Sequence, residues 1–290
     1  MTKRIFTVIT AIFLLYSFSG CDASNESAQI VATTLPVYEF STMLCAGTDL
    51  TVSLLVTENV SCLHDYALSV RQVKAVESAE LILISGGGLE DFMADLLGGR
   101  SVVDSSAGIP LLEVCHDHSH EGHSHDHDPH IWLAPENAKV MANNICSGLT
   151  VQYPQYAELF AANLQTLTEK LDALQQYGKQ LLSTLSCREL ITFHDGFSYL
   201  AHAFDLTILA AVEEESGSEA SAAELKELIL LTREHSLPAV FTEKNGSASA
   251  ADVIAAETGV SLYALDMAMS GDSYFDAMYH NLATLKEALK

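Results

Sequence analysis

The sequence predicts an α/β protein of two lobes, each a parallel sheet flanked by helices, joined by one long spine helix. Three observations carry this. Short apolar runs alternate with helical periodicities in the first half of the chain, the same alternation resumes in the last third, and one uninterrupted helical pattern separates them. Strands alternating with helices imply a parallel sheet covered on both faces. At 290 residues the chain is long for one compact domain, and 49% apolar content is ample for two cores.

Taken in order, Gln29 to Thr34 reads as a first strand and Val37 to Ala46 as a helix. Leu50 to Val56 is a second strand, Ala67 to Ser78 a helix, and Leu81 to Ser85 a short buried strand. Gly86-Gly87-Gly88 then breaks the chain before a helix over Leu89 to Leu97. No Gly-x-Gly-x-x-Gly spacing and no Lys-Ser/Thr follows, so the triple glycine predicts a tight turn rather than a phosphate loop.

From Pro154 to Leu185 the apolar residues Phe160, Leu164, Leu167, Leu171, Leu174, Leu181 and Leu185 recur at threes and fours, with Tyr177 near the same face. Pro154 stands where a first helical turn tolerates proline. A helix of about thirty residues spans roughly 45 Å. It reads as a spine connecting two lobes rather than as part of either core. Beyond it come a strand at Glu189 to Phe193, a helix at Ser198 to Ala203, a strand at Thr207 to Ala211 and a helix at Ser221 to His235. A strand at Ala239 to Thr242, a helix at Ala248 to Thr258, a strand at Ser261 to Leu265 and a helix at Ser273 to Leu289 close the chain.

The first twenty residues have another character. Lys3 and Arg4 precede an apolar run from Ile5 to Tyr16, and Ser17-Phe18-Ser19-Gly20 supply small residues before Cys21, the build of an export signal. The run is too short for a spanning helix. Phe18-Ser19-Gly20-Cys21 resembles a bacterial lipobox, in which Cys21 becomes the lipidated first residue, and the polar stretch after it suits a tether. The organisation is therefore read as 1–20 signal peptide, 21–28 tether, 29–150 N-terminal lobe with a histidine-rich loop at 115–128, 151–186 linking helix and 187–290 C-terminal lobe. Six cysteines less Cys21 leave Cys45, Cys62, Cys115, Cys146 and Cys187, without a Cys-x-x-Cys pair, so buried thiols or one or two disulfides are the reading.

With 14 basic against 38 acidic residues, nucleic acid and anionic lipid surfaces are excluded as partners, whereas cations suit the charge. Seven of the twelve histidines fall in His116, His118, His120, His123, His125, His127 and His130, interleaved with Asp, Glu and Ser. Such a tract cannot pack a core; it reads as a loop of imidazoles and carboxylates that divalent transition metals coordinate, zinc among them. Three further positions stand together. His64, His130 and His194 are read at loops by the carboxyl edges of strands, where α/β sheets bind ligands.

Leu63-His64-Asp65-Tyr66-Ala67-Leu68, Asp128-Pro129-His130-Ile131-Trp132-Leu133 and Phe193-His194-Asp195-Gly196-Phe197 resemble the three histidine motifs of the zinc/manganese solute-binding proteins of ABC importers. The resemblance runs from about Ile30 to the C-terminus; Gly87-Gly88-Leu89-Glu90, Glu219 to Leu225 and Tyr274-Phe275-Asp276 are similar to further family landmarks. A histidine-rich loop before the second motif resembles the zinc-specific members. Two departures stand out: Ser69-Val70-Arg71 where the family often has Pro-Ser-Asp, and Leu265-Asp266-Met267-Ala268 where it often has Leu-Asp-Pro-Leu.

The resemblance implies a non-enzymatic, extracytoplasmic, lipid-anchored and monomeric receptor that binds Zn2+ and hands it to a membrane permease. It implies His64, His130 and His194 as metal ligands, with Asp266, Glu243 or water as the fourth, and the loop histidines as accessory sites. Asp65 and Asp195 are candidates to orient the imidazoles. Because ligating histidines must be neutral, affinity is expected to fall in acid. A manganese receptor of the same family and a metal-binding adhesin or store are the rival readings. A zinc hydrolase lacks support, for no His-Glu-x-x-His is present in the sequence.

Overall fold

A computed structural model describes residues 28–58, 60, 63, 66–113, 127–212 and 220–290. Two four-stranded, all-parallel sheets form the two lobes. The first comprises β1 (Ile30–Ala32), β2 (Val52–Leu54), β3 (Leu81–Ile84) and β4 (Val102–Asp104) in the order β2-β1-β3-β4. The second comprises β5 (Glu189–Thr192), β6 (Thr207–Ala211), β7 (Ala239–Glu243) and β8 (Ser261–Leu265) in the order β6-β5-β7-β8. In each lobe the first strand lies inside, so the winding reverses between the first and third strands. A crevice opens at the carboxyl ends beside such a switch point.

Helices α1 (Leu35–Leu44), α2 (Val70–Ser78), α3 (Ala94–Leu97) and α4 (Pro135–Gln152) belong to the first lobe. After the linking helix α5 (Ala157–Leu182), α6 (Ser198–Ala203), α7 (Ala222–Glu234), α8 (Ser249–Thr258) and α9 (Tyr274–Ala288) belong to the second. Local chemistry sets several starts. Ser69 and Gln72 form a reciprocal capping box on α2, and Ser221 and Glu224 form another on α7. The three glycines at 86–88 all have positive φ, and a Cβ on Gly86 would lie 1.8 Å from an Asp104 carboxylate oxygen. That turn admits glycine alone.

The differences from the sequence reading have plain causes. The spine begins as a 3₁₀ turn at Pro154–Tyr156 and becomes α-helical only from Ala157. The helix expected over Leu89 to Leu97 is split into a 3₁₀ turn (Asp91–Met93) and α3, since the Glu90 side chain turns back to bind the glycine turn. Strand β4 and helix α4 were not anticipated, although Ala138, Met141, Ala142, Ile145 and Leu149 form a buried stripe at helical spacing.

The spine is also not separate from the cores. Phe160, Leu167, Leu171, Leu174 and Leu182 lie in one continuous cluster with Phe40 and Ile145 of the first lobe and Phe241 and Leu282 of the second. At Gly178 a Cβ would lie 2.2 Å from Phe204, so α5 packs closely on the second lobe. Tyr177 is displaced from the expected buried face and stacks edge-on with Tyr279 at the surface. Among the described residues no helix is long and apolar enough to cross a membrane.

Candidate metal centre

Adjacent strands of the second lobe deliver three candidate side chains to one edge. His194 lies two residues beyond the end of β5, Glu243 is the last residue of β7, and Asp266 directly follows β8. Strands β5 and β7 flank the switch point, so His194 and Glu243 meet there: His194 Nδ1 lies 3.6 Å from Glu243 Oε2. Burial and the negative charge of Asp266 push the Glu243 carboxyl up to about 8.

The first lobe contributes His130, at the entrance of a 3₁₀ turn (Ile131–Leu133) that runs into α4. Three hydrogen bonds bolt this segment and the start of α1 to the second lobe. Trp132 Nε1 donates to Met267 O at 2.7 Å, the Tyr274 hydroxyl donates to Trp132 O at 2.8 Å, and Leu35 N donates to Met269 O at 3.1 Å. Trp132 and Tyr274 are fully buried.

The outcome is a pair of imidazoles from different lobes, ring centroids 5.2 Å apart and edge to face. His130 is 1% exposed, and its Nδ1 and backbone N both lie on Asp128 Oδ1, at 2.8 and 2.9 Å. With Nδ1 so engaged, Nε2 faces away from Asp128; it is buried and has no hydrogen-bond partner among the described residues. A buried polar nitrogen calls for a partner, and a neutral imidazole whose other nitrogen is held by a carboxylate has the chemistry of a metal ligand. Gly196 lies against both rings: a Cβ there would be 2.6 Å from His194 Cδ2 and 2.9 Å from His130 Nδ1.

Of the residues expected from sequence, His130, His194, Glu243 and Asp266 are thus described at or beside this edge. His64, the loop histidines His116, His118, His120, His123 and His125, and Cys21 lie outside the described residues, as do Asp65, Cys62 and Cys115. His127 is described at the base of the loop, where it forms an isolated antiparallel bridge with Glu113. Asp266 has both carboxylate oxygens engaged, Oδ1 by Ala268 N at 2.8 Å and Oδ2 by Lys244 Nζ at 2.8 Å.

The sequence reading missed two partners. Asp128 orients His130, and its only signal was its place two residues before the histidine; Lys244 on Asp266 gave no signal. Cys45, Cys146 and Cys187 are free thiols, and burial pushes Cys45 up to about 12, which keeps it protonated.

Residues 30–288 match the family model of ZnuA, the periplasmic component A of a zinc-uptake complex. The chain belongs to this family. The zinc-binding lipoprotein AdcA of Streptococcus pneumoniae serotype 4 is 30% identical over 298 residues, an alignment covering 96% of this chain and 59% of AdcA. The chain therefore spans about three-fifths of the length of the AdcA relatives it matches. A putative metal-binding protein of Treponema pallidum is 27% identical, with 99% and 97% covered. Among solved structures, a ZnuA crystal structure superposes with a TM-score of 0.79 at 30% identity, covering 91% of this chain and all of the other. The Zn(II)-bound ZnuA-like domain of Streptococcus pneumoniae AdcA gives 0.76 at 27%, covering 91% and 99%. These likenesses agree with the two-lobe α/β fold derived above.

Proposed function

We propose that this chain is an extracytoplasmic zinc receptor that captures Zn2+ between its lobes and delivers it to an ABC-type permease. One observation carries the reading: a buried imidazole of the first lobe, His130, faces the half-buried imidazole of His194 from the second, His130 with its outer nitrogen already held by a carboxylate. His130, His194 and the sequence-assigned His64 give three neutral nitrogens, the donor set of tetrahedral zinc, with an oxygen left to supply. Asp266 and Glu243 are the protein candidates for that oxygen. The family and the zinc-bound AdcA domain support zinc as the cargo.

The Lys244 contact with Asp266 favours zinc over manganese, because hard Mn2+ needs oxygen ligands and one of them is neutralised. We read the chain as a carrier, not an enzyme. Anchoring through lipidated Cys21, a monomeric state, the 29–150 and 187–290 lobe boundaries and the accessory role of the loop histidines belong to the same proposal. The lobes are held by buried bonds on both sides of the metal edge, so binding is accompanied by small shifts, not wide closure.

A zinc-against-manganese competition titration on the soluble mature chain, with and without His116 to Asp126, tests the reading. One tight zinc site that survives the deletion and is lost in His64→Ala supports it. Tight zinc binding that vanishes with the loop, while manganese still binds, sinks it. Zinc-dependent growth of a strain lacking the chain separates a transport receptor from a store.

A further inference from the structure

We infer that the Tyr199 hydroxyl is a positioning group for the metal centre, holding the Asp128–His130 pair and both ends of the histidine-rich segment against the helix that follows His194. The inference rests on the reading of His130 as a metal ligand. Tyr199 lies on α6, five residues after His194, and is 3% exposed. Its hydroxyl accepts from Leu112 N at 2.9 Å and donates to Asp128 O at 3.2 Å. Donor and acceptor capacity are both used, so phenylalanine can fill the space but make neither bond.

Leu112 and Asp128 are the roots of the histidine-rich segment. Asp128 N donates to Leu112 O at 2.9 Å, and just beyond them Glu113 and His127 form the antiparallel bridge. The chain leaving toward residue 114 and the chain returning from residue 126 are thus zipped together, and the hydroxyl of the other lobe sits on the zip. Asp128 then passes the constraint on. Its main-chain carbonyl is held by Tyr199, and its Oδ1 holds both the backbone N and Nδ1 of His130. Pro129 between them fixes φ and leaves little slack.

A displacement of Asp128 therefore carries the His130 ring with it. The two histidines come from different lobes, so the nitrogen geometry offered to a metal depends on how the lobes are registered. Trp132 and Tyr274 fix that register on one side of His130, and Tyr199 fixes it on the Asp128 side.

The test uses the mature chain with Co2+ as a spectroscopic probe of the cleft and Zn2+ for affinity. In Tyr199→Phe the d–d absorption of the cobalt-saturated protein is expected to shift, and the zinc Kd to rise about tenfold, the lower end for outer-shell partners. Asp128→Ala, which removes the Oδ1 acceptor, is expected to move both in the same direction, and the double variant to go little beyond Asp128→Ala alone, because the two act in series. An unchanged saturated spectrum with only a lower melting temperature in chelator would show that Tyr199 merely packs, and overturn the proposal. Additive effects in the double variant would overturn it too. His130→Ala is the separate control: if it leaves the cobalt spectrum intact, the ligand assignment itself has failed.

Discussion

Gly196→Ala probes the pairing of the two imidazoles with the smallest possible change. Gly196 does not sit in the left-handed region, so alanine is free of backbone strain and only its methyl matters. That methyl would lie 2.6 Å from His194 Cδ2, 2.6 Å from Met267 Cε and 2.9 Å from His130 Nδ1. Ordinary contact begins near 3.4 Å, so the shortfall is about 0.8 Å at His194 and about 0.5 Å at His130. Met267 Cε is the free end of a flexible chain and can swing away. The rings cannot both do so, since His130 is fixed by Asp128 at 2.8 Å.

Metal–ligand distances tolerate about 0.2 Å. Overpacking of this size costs about 1–3 kcal/mol, so if the strain falls mainly on the metal-bound state the zinc Kd rises by about 5- to 150-fold. Chelator-competition titration reads the affinity, and urea unfolding of the metal-free protein reads how much of the cost is spent on the fold. Zinc binding within threefold of the parent protein, with unchanged stability, would show that the rings do not jointly face a metal beside Gly196.

Glu90→Gln tests a buried carboxyl in the first lobe, which accepts from the Thr33 hydroxyl and from the backbone N of Ser85 and Gly86. Burial outweighs these bonds and pushes it up to about 7 from an ordinary 4.5, so its contribution to stability is full below about 4.5 and is lost as the pH rises to about 7. Urea midpoints of the parent should fall across that window relative to Glu90→Gln; parallel pH profiles would refute the assignment. Lys244→Ala releases Asp266, and manganese affinity should rise a few-fold relative to zinc, a small effect because the lysine is largely exposed. An unchanged Mn/Zn ratio by competition titration would show that the pair does not govern the oxygen ligand. Gly178→Ala drives a methyl into Phe204 and should destabilise by about 1–3 kcal/mol in equilibrium unfolding, whereas an unaltered midpoint would mean the spine does not pack on the second lobe as described.

Much of the fold was legible because both lobes obey simple periodicities. The boundaries of α6, β6 and β8 fall where the apolar pattern ends. The spine was legible as a helix but not as shared core, because the residues it meets, such as Leu282 beside Gly178, lie far away in sequence. At the site, His194 stands beyond a strand as its sequence position suggests, whereas His130 follows no strand and instead opens the 3₁₀ turn before α4. The dependence of His130 on Asp128 and of Asp128 on Tyr199 was not legible, for hydrogen bonds across lobes leave no periodic trace. Asp266 illustrates the limit of a retained residue type: its carboxylate is engaged by Lys244, a partner 22 positions away.

Zinc K-edge absorption of the mature chain lacking residues 114–126, loaded with one equivalent of zinc, reports directly whether the metal sits between His130 and His194. Three imidazoles and one oxygen at about 2.0–2.1 Å are the expected first shell, reduced by one imidazole in His130→Ala. A sulfur shell near 2.3 Å, or a spectrum unmoved by that substitution, would contradict it.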